Sequence, residues 1–186
     1  DYVMVSTLEL IAREIYDKKV SGAVAELGVY RGDFTKVISK FFNDRKLYLF
    51  DTFEGFDEND VTIEKYKNYS NAKVGHLKDT NIDIVLSKIV HKNEVCIKKG
   101  YFPETAIGLE DETFAFVSID VDLFKPTYDG LCFFYSKLTK GGYILIHDYN
   151  NSYYSGVKEA VNKFCKEKNV TCIPVSDYLG SAIITK

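Results

Sequence analysis

Two apolar runs on either side of one helical pattern constrain the fold of this chain more than any other feature. Residues 23–29 and 46–51 read as buried strands, and between them apolar residues recur with helical spacing from Phe34 to Phe42. Strand, helix and strand follow one another within about thirty residues, the length of a βαβ unit. Because such units place their strands in parallel, we expect a parallel sheet that is covered by helices.

The rest of the chain repeats this alternation. Residues 171–175 and 181–185 are joined too closely for a crossover helix, so they should pair antiparallel at an edge of the sheet. The sequence therefore predicts an α/β fold, with a doubly wound and mostly parallel sheet of about seven strands, an antiparallel edge pair and helices on both faces. Further strands are expected at 94–98, 114–119 and 143–146, and further helices at 80–90, 126–139 and 155–168.

Two segments lie outside this regular pattern. Residues 1–22 hold an N-terminal helix, for which Ser6 and Glu9 form a predicted capping box. Residues 57–79 are polar and aperiodic, and they are long for a plain loop, so they predict a lid or a short irregular helix over a substrate site. The length of 186 residues suits one domain that covers the whole chain.

Charge and cysteine content exclude several classes of partner. The net charge is −3 with acids and bases intermixed, which argues against nucleic-acid binding. No apolar run approaches the length of a membrane span, so no membrane partner is expected. The 4 cysteines form no C-x-x-C pair and are interpreted as reduced thiols of a cytoplasmic protein. A small-molecule ligand remains the favoured partner, and a homo-oligomer is left open.

The turn after the first strand carries an acid and two glycines, spaced E-x-G-x-x-x-G. Gly28 allows a sharp turn, and Gly32 allows the following helix to approach a ligand closely. Glu26 suits a cationic or hydroxylated ligand better than a pyrophosphate, and the spacing differs from the dinucleotide pattern G-x-G-x-x-G. The alternative is that both glycines serve only a tight turn.

Acids also end three other predicted strands, where open α/β sheets bind ligands. Asp51 lies where nucleoside-binding folds place an acid for the ribose hydroxyls, about twenty residues past the glycine loop. Asp120 and Asp122 form a D-x-D pair that can bind a hard cation or act as a base. His147 and Asp148 end the next strand, and Asp148 should converge with Asp120 on one cation. The alternative for each is helix capping or a structural role.

Taken together, these stretches resemble the class I S-adenosylmethionine-dependent methyltransferases, and within them the macrocin O-methyltransferase (TylF-like) family. The resemblance runs from about residue 23 to residue 164. It rests on five stretches in the family's order: A-E-L-G-V-Y-R-G, L-F-D-T-F-E-G-F, K-G-Y-F-P-E-T, S-I-D-V-D-L-F-K-P-T-Y-D-G-L and K-G-G-Y-I-L-I-H-D-Y. It implies a Rossmann-like fold and methylation of a hydroxyl, typically on a sugar or a glycosylated metabolite.

The resemblance also implies roles for individual residues. Asp51 would take the ribose hydroxyls of S-adenosylmethionine, and Gly100 and Tyr101 would lie near the adenine. Asp120 would be both a magnesium ligand and a catalytic carboxylate, and His147 a catalytic group. The full sets that it implies are Glu26, Gly28, Val29, Tyr30, Gly32, Asp51, Thr52, Gly100 and Tyr101 for the cofactor, and Asp120, His147 and Asp148 for Mg²⁺ or another divalent cation.

The chain departs from the family pattern in two places. The family has D-D-Y where this sequence has His147-Asp148-Tyr149, and imidazole suits softer metals than magnesium. Relatives carry additional N-terminal sequence over the site, so substrate recognition is expected from residues 57–79. Two other functions stay open: a glycosyltransferase that uses Asp120-Val121-Asp122 as a D-x-D motif, and a protein of this fold that binds the cofactor without turnover.

Overall fold

Strands and helices alternate along the chain in the computed structural model, which describes residues 1–90 and 94–186. The strands are β1 (Ala23–Leu27), β2 (Leu47–Asp51), β3 (Val95–Lys99), β4 (Phe114–Ile119), β5 (Leu138–Ile146), β6 (Ile173–Pro174) and β7 (Ala182–Thr185). The helices are α1 (Tyr2–Asp17), α2 (Asp33–Phe41), α3 (Glu58–Lys67), α4 (Ile82–Lys88), α5 (Phe124–Lys137) and α6 (Gly156–Lys168), with a short 3₁₀ turn at Glu104–Ala106.

All seven strands form one sheet in the order β3-β2-β1-β4-β5-β7-β6. β3, β2, β1, β4 and β5 pair in parallel with one another in that order. β7 pairs antiparallel with both β5 and β6 at the far edge. The predicted fold class, a mostly parallel doubly wound sheet with an antiparallel edge pair, is confirmed. Because the chain winds outward from β1 in both directions, the carboxyl ends of β1 and β4 meet at the point where the strand order reverses.

Two apolar layers hold the sheet between helices. One layer joins α1, α2 and α4 to residues such as Val24 and Leu49 of the central strands. The other joins α5 and α6 to the opposite side of the same strands, through Leu27 and Phe50. β1 and β4 are buried along their whole length, as expected for strands that are covered on both faces. None of the helices in the described ranges has both the length and the apolar character needed to cross a bilayer.

Several element boundaries differ from the sequence prediction, and the structure explains those of α1 and β5. α1 begins at Tyr2, because Asp1 caps it by accepting the amide of Val3, and Ser6 lies inside the helix rather than at its start. β5 begins at Leu138 and passes through both glycines at 141–142, because the strand continues to pair at its amino end, where Leu138 lies beside Phe114 of β4.

Residues 57–79 contain a regular helix, α3, followed by turns. Asp57 caps α3 with its side chain, which accepts the amide of Asn59 at 2.8 Å. The buried residues of α3 are Asp60, Val61 and Glu64, so two of its three inward side chains are acids. This explains why no apolar periodicity marks the helix in the sequence. α3 packs beside α5, and Val61 joins a small cluster with Ala72 and Leu123.

Candidate active site

Backbone hydrogen bonds between neighbouring strands fix the residues that follow each strand. The amide of Gly28 donates to Phe50, and the amide of Asp120 donates to Leu27, at 2.9 and 2.8 Å. The amides of Gly100 and His147 make the equivalent bonds to Asp51 and Ile119, both at 2.9 Å. The parallel ladder therefore extends into the loops at the carboxyl edge of the sheet. Four sequence-predicted site residues lie side by side there.

The turn after β1 needs glycine at position 28. Gly28 has φ of +86°, and a Cβ atom at this position would lie 1.9 Å from the carbonyl oxygen of Asp120. Gly32, at φ of +75°, caps α2, and its closest neighbours are atoms of Val85 on α4. The two glycines thus act differently: Gly28 lets β1 and β4 approach each other at the site, whereas Gly32 lets α2 pack on α4.

Asp51 ties the ends of β1 and β2 together. Its Oδ2 accepts the amides of Val29 and Tyr30, both at 2.8 Å, and its Oδ1 accepts the amide of Phe53 at 2.7 Å. A carboxylate has about four lone-pair directions, so capacity to accept from a ligand hydroxyl remains. The Asp51 side chain is half-buried and lines the cavity described below.

Glu26 faces the interior beneath this turn. It is 1% exposed, and its Oε2 accepts the hydroxyl of Thr35 on α2. Burial raises the pKa of Glu26 well above its usual range, and the carboxylates of Asp120 and Asp51 raise it further. Because it does not line the cavity, the structure places Glu26 behind the predicted cofactor loop, where it joins β1 to α2.

An open cavity lies along the carboxyl ends of β3, β2, β1 and β4, where open α/β sheets bind their ligands. Of the sequence-predicted residues, the lining includes Gly28, Tyr30, Asp51, Thr52, Gly100, Tyr101 and Asp120, and it lacks Glu26, Val29, Gly32, His147 and Asp148. α3 contributes Asp60, and the segment before it contributes Phe56 and Asp57.

Three carboxylates converge where β4 and β5 end. Asp120, Asp122 and Asp148 each place an oxygen within 4.8 Å of the oxygens of the other two. Asp122 and Asp148 have φ of +59° and +58°, a left-handed conformation that is uncommon for residues other than glycine. Such backbone strain concentrates at functional sites. Since both turns aim their side chains at one point, the cluster is a candidate cation or proton site.

Burial raises the pKa values of two of these carboxyl groups. The pKa of Asp120 is raised by burial, and that of Asp122 is raised further, by burial and then by the charges of Asp120 and Asp148. Three carboxylates at this separation repel one another, and either a bound cation or a bound proton relieves the repulsion. Oxygen-only ligands of this kind suit Mg²⁺, Ca²⁺ or Mn²⁺.

His147 does not join this cluster. Its side chain is 4% exposed, its Nε2 lies 2.8 Å from Oγ of Ser118, and its ring packs edge-on against Phe34 with the centroids 4.7 Å apart. Its Nδ1 is 3.9 Å from Oδ2 of Asp120. The sequence prediction gave His147 as a metal ligand and catalytic group. The structure instead turns the imidazole toward α2, because side chains alternate along a strand and His147 follows the buried end of β5.

The structure adds to what the sequence indicated for two acids in this region. Asp122 was predicted as the partner of Asp120 in D-x-D, and the structure also brings it to Asp148 through a turn in which the amide of Leu123 donates to the carbonyl of Val121 at 2.6 Å. Asp60 was given no site role, because residues 57–79 show no apolar periodicity that would mark it as an inward position.

An aromatic group stands beside the carboxylate cluster. Phe56 contacts the rings of His76 and Tyr154 edge-on, at centroid distances of 5.4 and 6.0 Å. The hydroxyl of Tyr154 lies 3.4 Å from Nδ1 of His76. Burial raises the pKa of Tyr154, and the charges of Asp122 and Asp148 raise it further. These three aromatic side chains therefore lie beside the carboxylates, two from the segment 56–76 and one from the loop before α6.

Comparison with known proteins identifies relatives for nearly the whole chain. Residues 4–180 match the family model described as macrocin-O-methyltransferase (TylF). The solved structure of the O-methyltransferase NovP superposes with a TM-score of 0.77 at 18% identity, covering 99% of this chain and 79% of that one. At this identity the superposition shows a shared fold.

Two curated relatives have closer sequences. Demethyldecarbamoylnovobiocin O-methyltransferase of Streptomyces niveus is 25% identical over 73% of this chain and 56% of its own length. Mycinamicin III 3''-O-methyltransferase of Micromonospora griseorubida is 28% identical over 70% of this chain and 56% of its own length. The chain thus spans a little over half the length of the curated relatives it matches.

Proposed function

We propose, from the premise that this chain belongs to the macrocin O-methyltransferase (TylF) family, that it transfers a methyl group from S-adenosylmethionine to a hydroxyl of a small sugar-containing molecule. One observation carries the proposal. A single cavity joins the Gly28 turn and Asp51 to the carboxylates of Asp120 and Asp122. One part of it suits a nucleoside, and the other suits a hydroxyl that must lose a proton.

The cofactor part of the site is formed by the ends of β1, β2 and β3. S-adenosylmethionine supplies an electrophilic methyl group on a sulfonium. Asp51 would accept the ribose hydroxyls with the lone pairs that its three backbone amides leave free. Gly28 would let the end of β1 lie close to Asp120, so that both strand ends border the ligand. Gly100 and Tyr101 would border the base at the end of β3.

The carboxylate cluster fits a divalent cation. Asp120 and Asp148 would hold it, with the oxygen ligands that hard cations prefer. A cation there would act as a Lewis acid that lowers the pKa of the acceptor hydroxyl. Because Nε2 of His147 is bonded to Ser118, the departure from D-D-Y leaves an all-oxygen cluster in which Asp122 is the third acid.

Proton transfer is assigned to Asp122. The acceptor oxygen must lose one proton as it bonds to the methyl carbon and the carbon–sulfur bond of the sulfonium breaks. Asp122 lines the cavity beside Asp120, whereas Asp148 does not line it. Asp122 would take the hydroxyl proton, and holding the oxygen on the axis of the methyl transfer would supply much of the remaining rate.

A sugar-containing acceptor is supported by two observations. The relatives named above are O-methyltransferases of demethyldecarbamoylnovobiocin and of mycinamicin III, and a third, of Streptomyces olivaceus, is named for the 4' oxygen of a rhamnosyl-tetracenomycin. Beside the carboxylates lie the aromatic rings of Phe56, His76 and Tyr154, with Nδ1 of His76 and the hydroxyl of Tyr154 as polar groups. Aromatic rings combined with polar groups suit a hydroxylated sugar ring. Residues 57–79, expected to cover the substrate, include His76 of this group.

The test combines binding with turnover. Titration calorimetry with S-adenosylhomocysteine should give a micromolar dissociation constant, while nucleotide sugars alone should bind far more weakly. Transfer of labelled methyl to a panel of deoxyhexose nucleotides and glycosides, run with Mg²⁺ and with EDTA, should show metal-stimulated methylation. Preference for a nucleotide sugar without methyl transfer would support the D-x-D glycosyltransferase alternative instead. Tight S-adenosylhomocysteine binding without turnover on any acceptor would support the non-catalytic one.

A further inference from the structure

A further acid, Asp60, faces the same cavity from the end opposite the carboxylate cluster. Asp60, on α3, is 5% exposed and lines the cavity together with Tyr101. Its Oδ1 accepts the hydroxyl of Tyr101 at 2.7 Å. Burial raises its pKa to about 6, against the hydrogen bond from Tyr101, which lowers it. Placing an acid against an apolar wall is costly unless its oxygens have partners.

The two buried acids of α3, Asp60 and Glu64, differ in their side-chain hydrogen bonds. Glu64 is fully satisfied within the protein, since its Oε1 accepts the amide of Phe124 at 2.8 Å and its Oε2 accepts the hydroxyl of Ser70 at 2.6 Å. Asp60 makes one hydrogen bond among the residues that the structure describes, through Oδ1. The nearest cation, Lys125, is instead paired with Asp129. The second oxygen of Asp60 is thus open to a donor in the cavity.

The order of the strands predicts which part of a ligand reaches this oxygen. Along the carboxyl edge, the carboxylate cluster lies at β4 and β5, Gly28 at β1, Asp51 at β2 and Tyr101 just after β3. Three strand spacings, about 14 Å in total, separate β4 from β3. A nucleoside with its sulfonium near β4 and its ribose on Asp51 therefore places its base at β3, beside Tyr101 and Asp60.

We propose that Asp60 accepts a hydrogen bond from the exocyclic amino group of the adenine and thereby selects a 6-aminopurine over a 6-oxopurine. This inference rests on the proposed function, because it takes S-adenosylmethionine as the ligand. It makes α3 part of the nucleoside site as well as a cover for the acceptor. A carboxylate rejects a carbonyl at the same position, since two acceptors then face each other without a proton.

The competing interpretation is that Asp60 serves only to hold Tyr101 in place. The two differ in one respect: only the proposal makes the identity of the base matter. S-inosylhomocysteine, the deaminated counterpart of S-adenosylhomocysteine, changes this one substituent from an amino group to a carbonyl. Asp60→Asn keeps the shape and an oxygen that can accept from Tyr101, while its amide can donate to the carbonyl of the deaminated base.

Calorimetric titration of both nucleosides tests the proposal. The unaltered protein should prefer S-adenosylhomocysteine by about 10- to 100-fold, the range for one charge-assisted hydrogen bond. Asp60→Asn should reduce the preference to about threefold or less. Asp60→Ala should weaken S-adenosylhomocysteine about tenfold while leaving or improving the binding of S-inosylhomocysteine. Glu58→Gln removes the same charge from the exposed side of α3 and is the matched control; it should keep the original preference.

The outcomes separate this inference from the proposed function. An Asp60→Asn protein that binds S-adenosylhomocysteine and still discriminates like the unaltered protein overturns the role of Asp60 and leaves the methyltransferase proposal standing. An unaltered protein that binds neither nucleoside overturns the proposed function and the inference with it. Circular dichroism of each variant verifies folding before titration, and Asp60→Ala supplies the answer if Asp60→Asn does not fold.

Discussion

Nε2 of His147 lies 2.8 Å from the hydroxyl oxygen of Ser118, while Nδ1 of the same ring lies 3.9 Å from Oδ2 of Asp120. The Ser118 side chain is fully buried, and His147 is 5% exposed. This pair explains how the chain can carry histidine at a position where its family has an acid. The imidazole is bonded across two neighbouring strands, while Asp120 and Asp122 line the cavity and Asp148 lies beside them.

Ser118→Ala should therefore lower stability more than catalysis. The variant leaves a buried ring nitrogen without its partner, which costs about 1–3 kcal/mol. Chemical denaturation should show this loss, and methyl transfer per folded molecule should stay within about threefold of the original. Ser87→Ala, at an exposed serine on α4 whose hydroxyl donates to the carbonyl of Ile84, should change neither quantity. A large loss of turnover in Ser118→Ala at unchanged stability would show that His147 acts in catalysis.

Asp122→Asn should abolish most turnover while leaving cofactor binding nearly intact. The asparagine cannot take a proton, so we expect at least a 100-fold loss of rate, the size usual for a general base. Affinity for S-adenosylhomocysteine should change less than about threefold, since Asp51 and Gly28 remain. Asp111→Asn, at an exposed position, is the control. Turnover equal to that of Asp111→Asn would remove Asp122 from the mechanism.

Asp148→Asn should act through the cation. Removing one carboxylate weakens an oxygen-ligand site, so the variant should need at least tenfold more Mg²⁺ for half-maximal activity. Thermal stabilisation by Mg²⁺, measured as a shift in Tm, should shrink in parallel. If the unaltered enzyme retains full activity in EDTA, the carboxylates serve proton transfer alone and the cation proposal is wrong.

Two glycines with the same backbone angle test the contact between β1 and β4. Gly28 and Gly108 both have φ of +86°, but a Cβ at Gly28 would lie 1.9 Å from the carbonyl of Asp120, whereas at Gly108 nothing lies within 4 Å. Gly108→Ala should cost about 1–2 kcal/mol, the strain of a left-handed alanine. Gly28→Ala should cost at least 2 kcal/mol more and should abolish S-adenosylhomocysteine binding. Equal losses of stability would contradict the close approach.

Asp60 should make stability fall as the pH rises. Its pKa is raised from 3.8 to about 6, so the folded state holds this proton more tightly than the unfolded chain does. Its stabilising contribution is complete below about pH 3.8 and is lost as the pH rises through about 6. Asp57 and Asp129 strengthen the shift, and Lys125 opposes it.

Asp60→Asn isolates this contribution from those of other buried acids. The variant should match the original Tm near pH 4 and exceed it at pH 7, because asparagine does not ionise. Urea denaturation at several pH values measures the difference. A gap that stays constant from pH 4 to pH 7 would show that Asp60 titrates normally.

The sheet was predictable because its strands are short apolar runs that end in acids or glycine. The alternation of strands and helices follows from the apolar patterns, and the antiparallel edge follows from the short connection between the last two strands. α3 was not predictable as a regular helix, since its inward positions include Asp60 and Glu64, and a polar face in a polar helix gives no periodicity. β5 passes through two glycines because pairing with its neighbours outweighs their weak strand propensity.

The site was predictable as a set of strand ends but not in its side-chain directions. Asp51 and Asp120 lie on the cavity because they directly follow β2 and β4 or end them. His147 and Asp122 depended on turns that no local pattern specifies. The left-handed conformation of Asp122 brings it to Asp148, and the buried hydroxyl of Ser118 engages Nε2 of His147.

The three amides that Asp51 accepts have a consequence for how a ligand would enter. They join the loops that follow β1 and β2 through one carboxylate before any nucleoside binds. A ligand that binds there orders few additional backbone residues. The entropic cost of ordering a loop therefore does not reduce its affinity. The part of the cavity that would bind the nucleoside is therefore preorganised. Differences between acceptors would be accommodated by α3 and the turns that follow it.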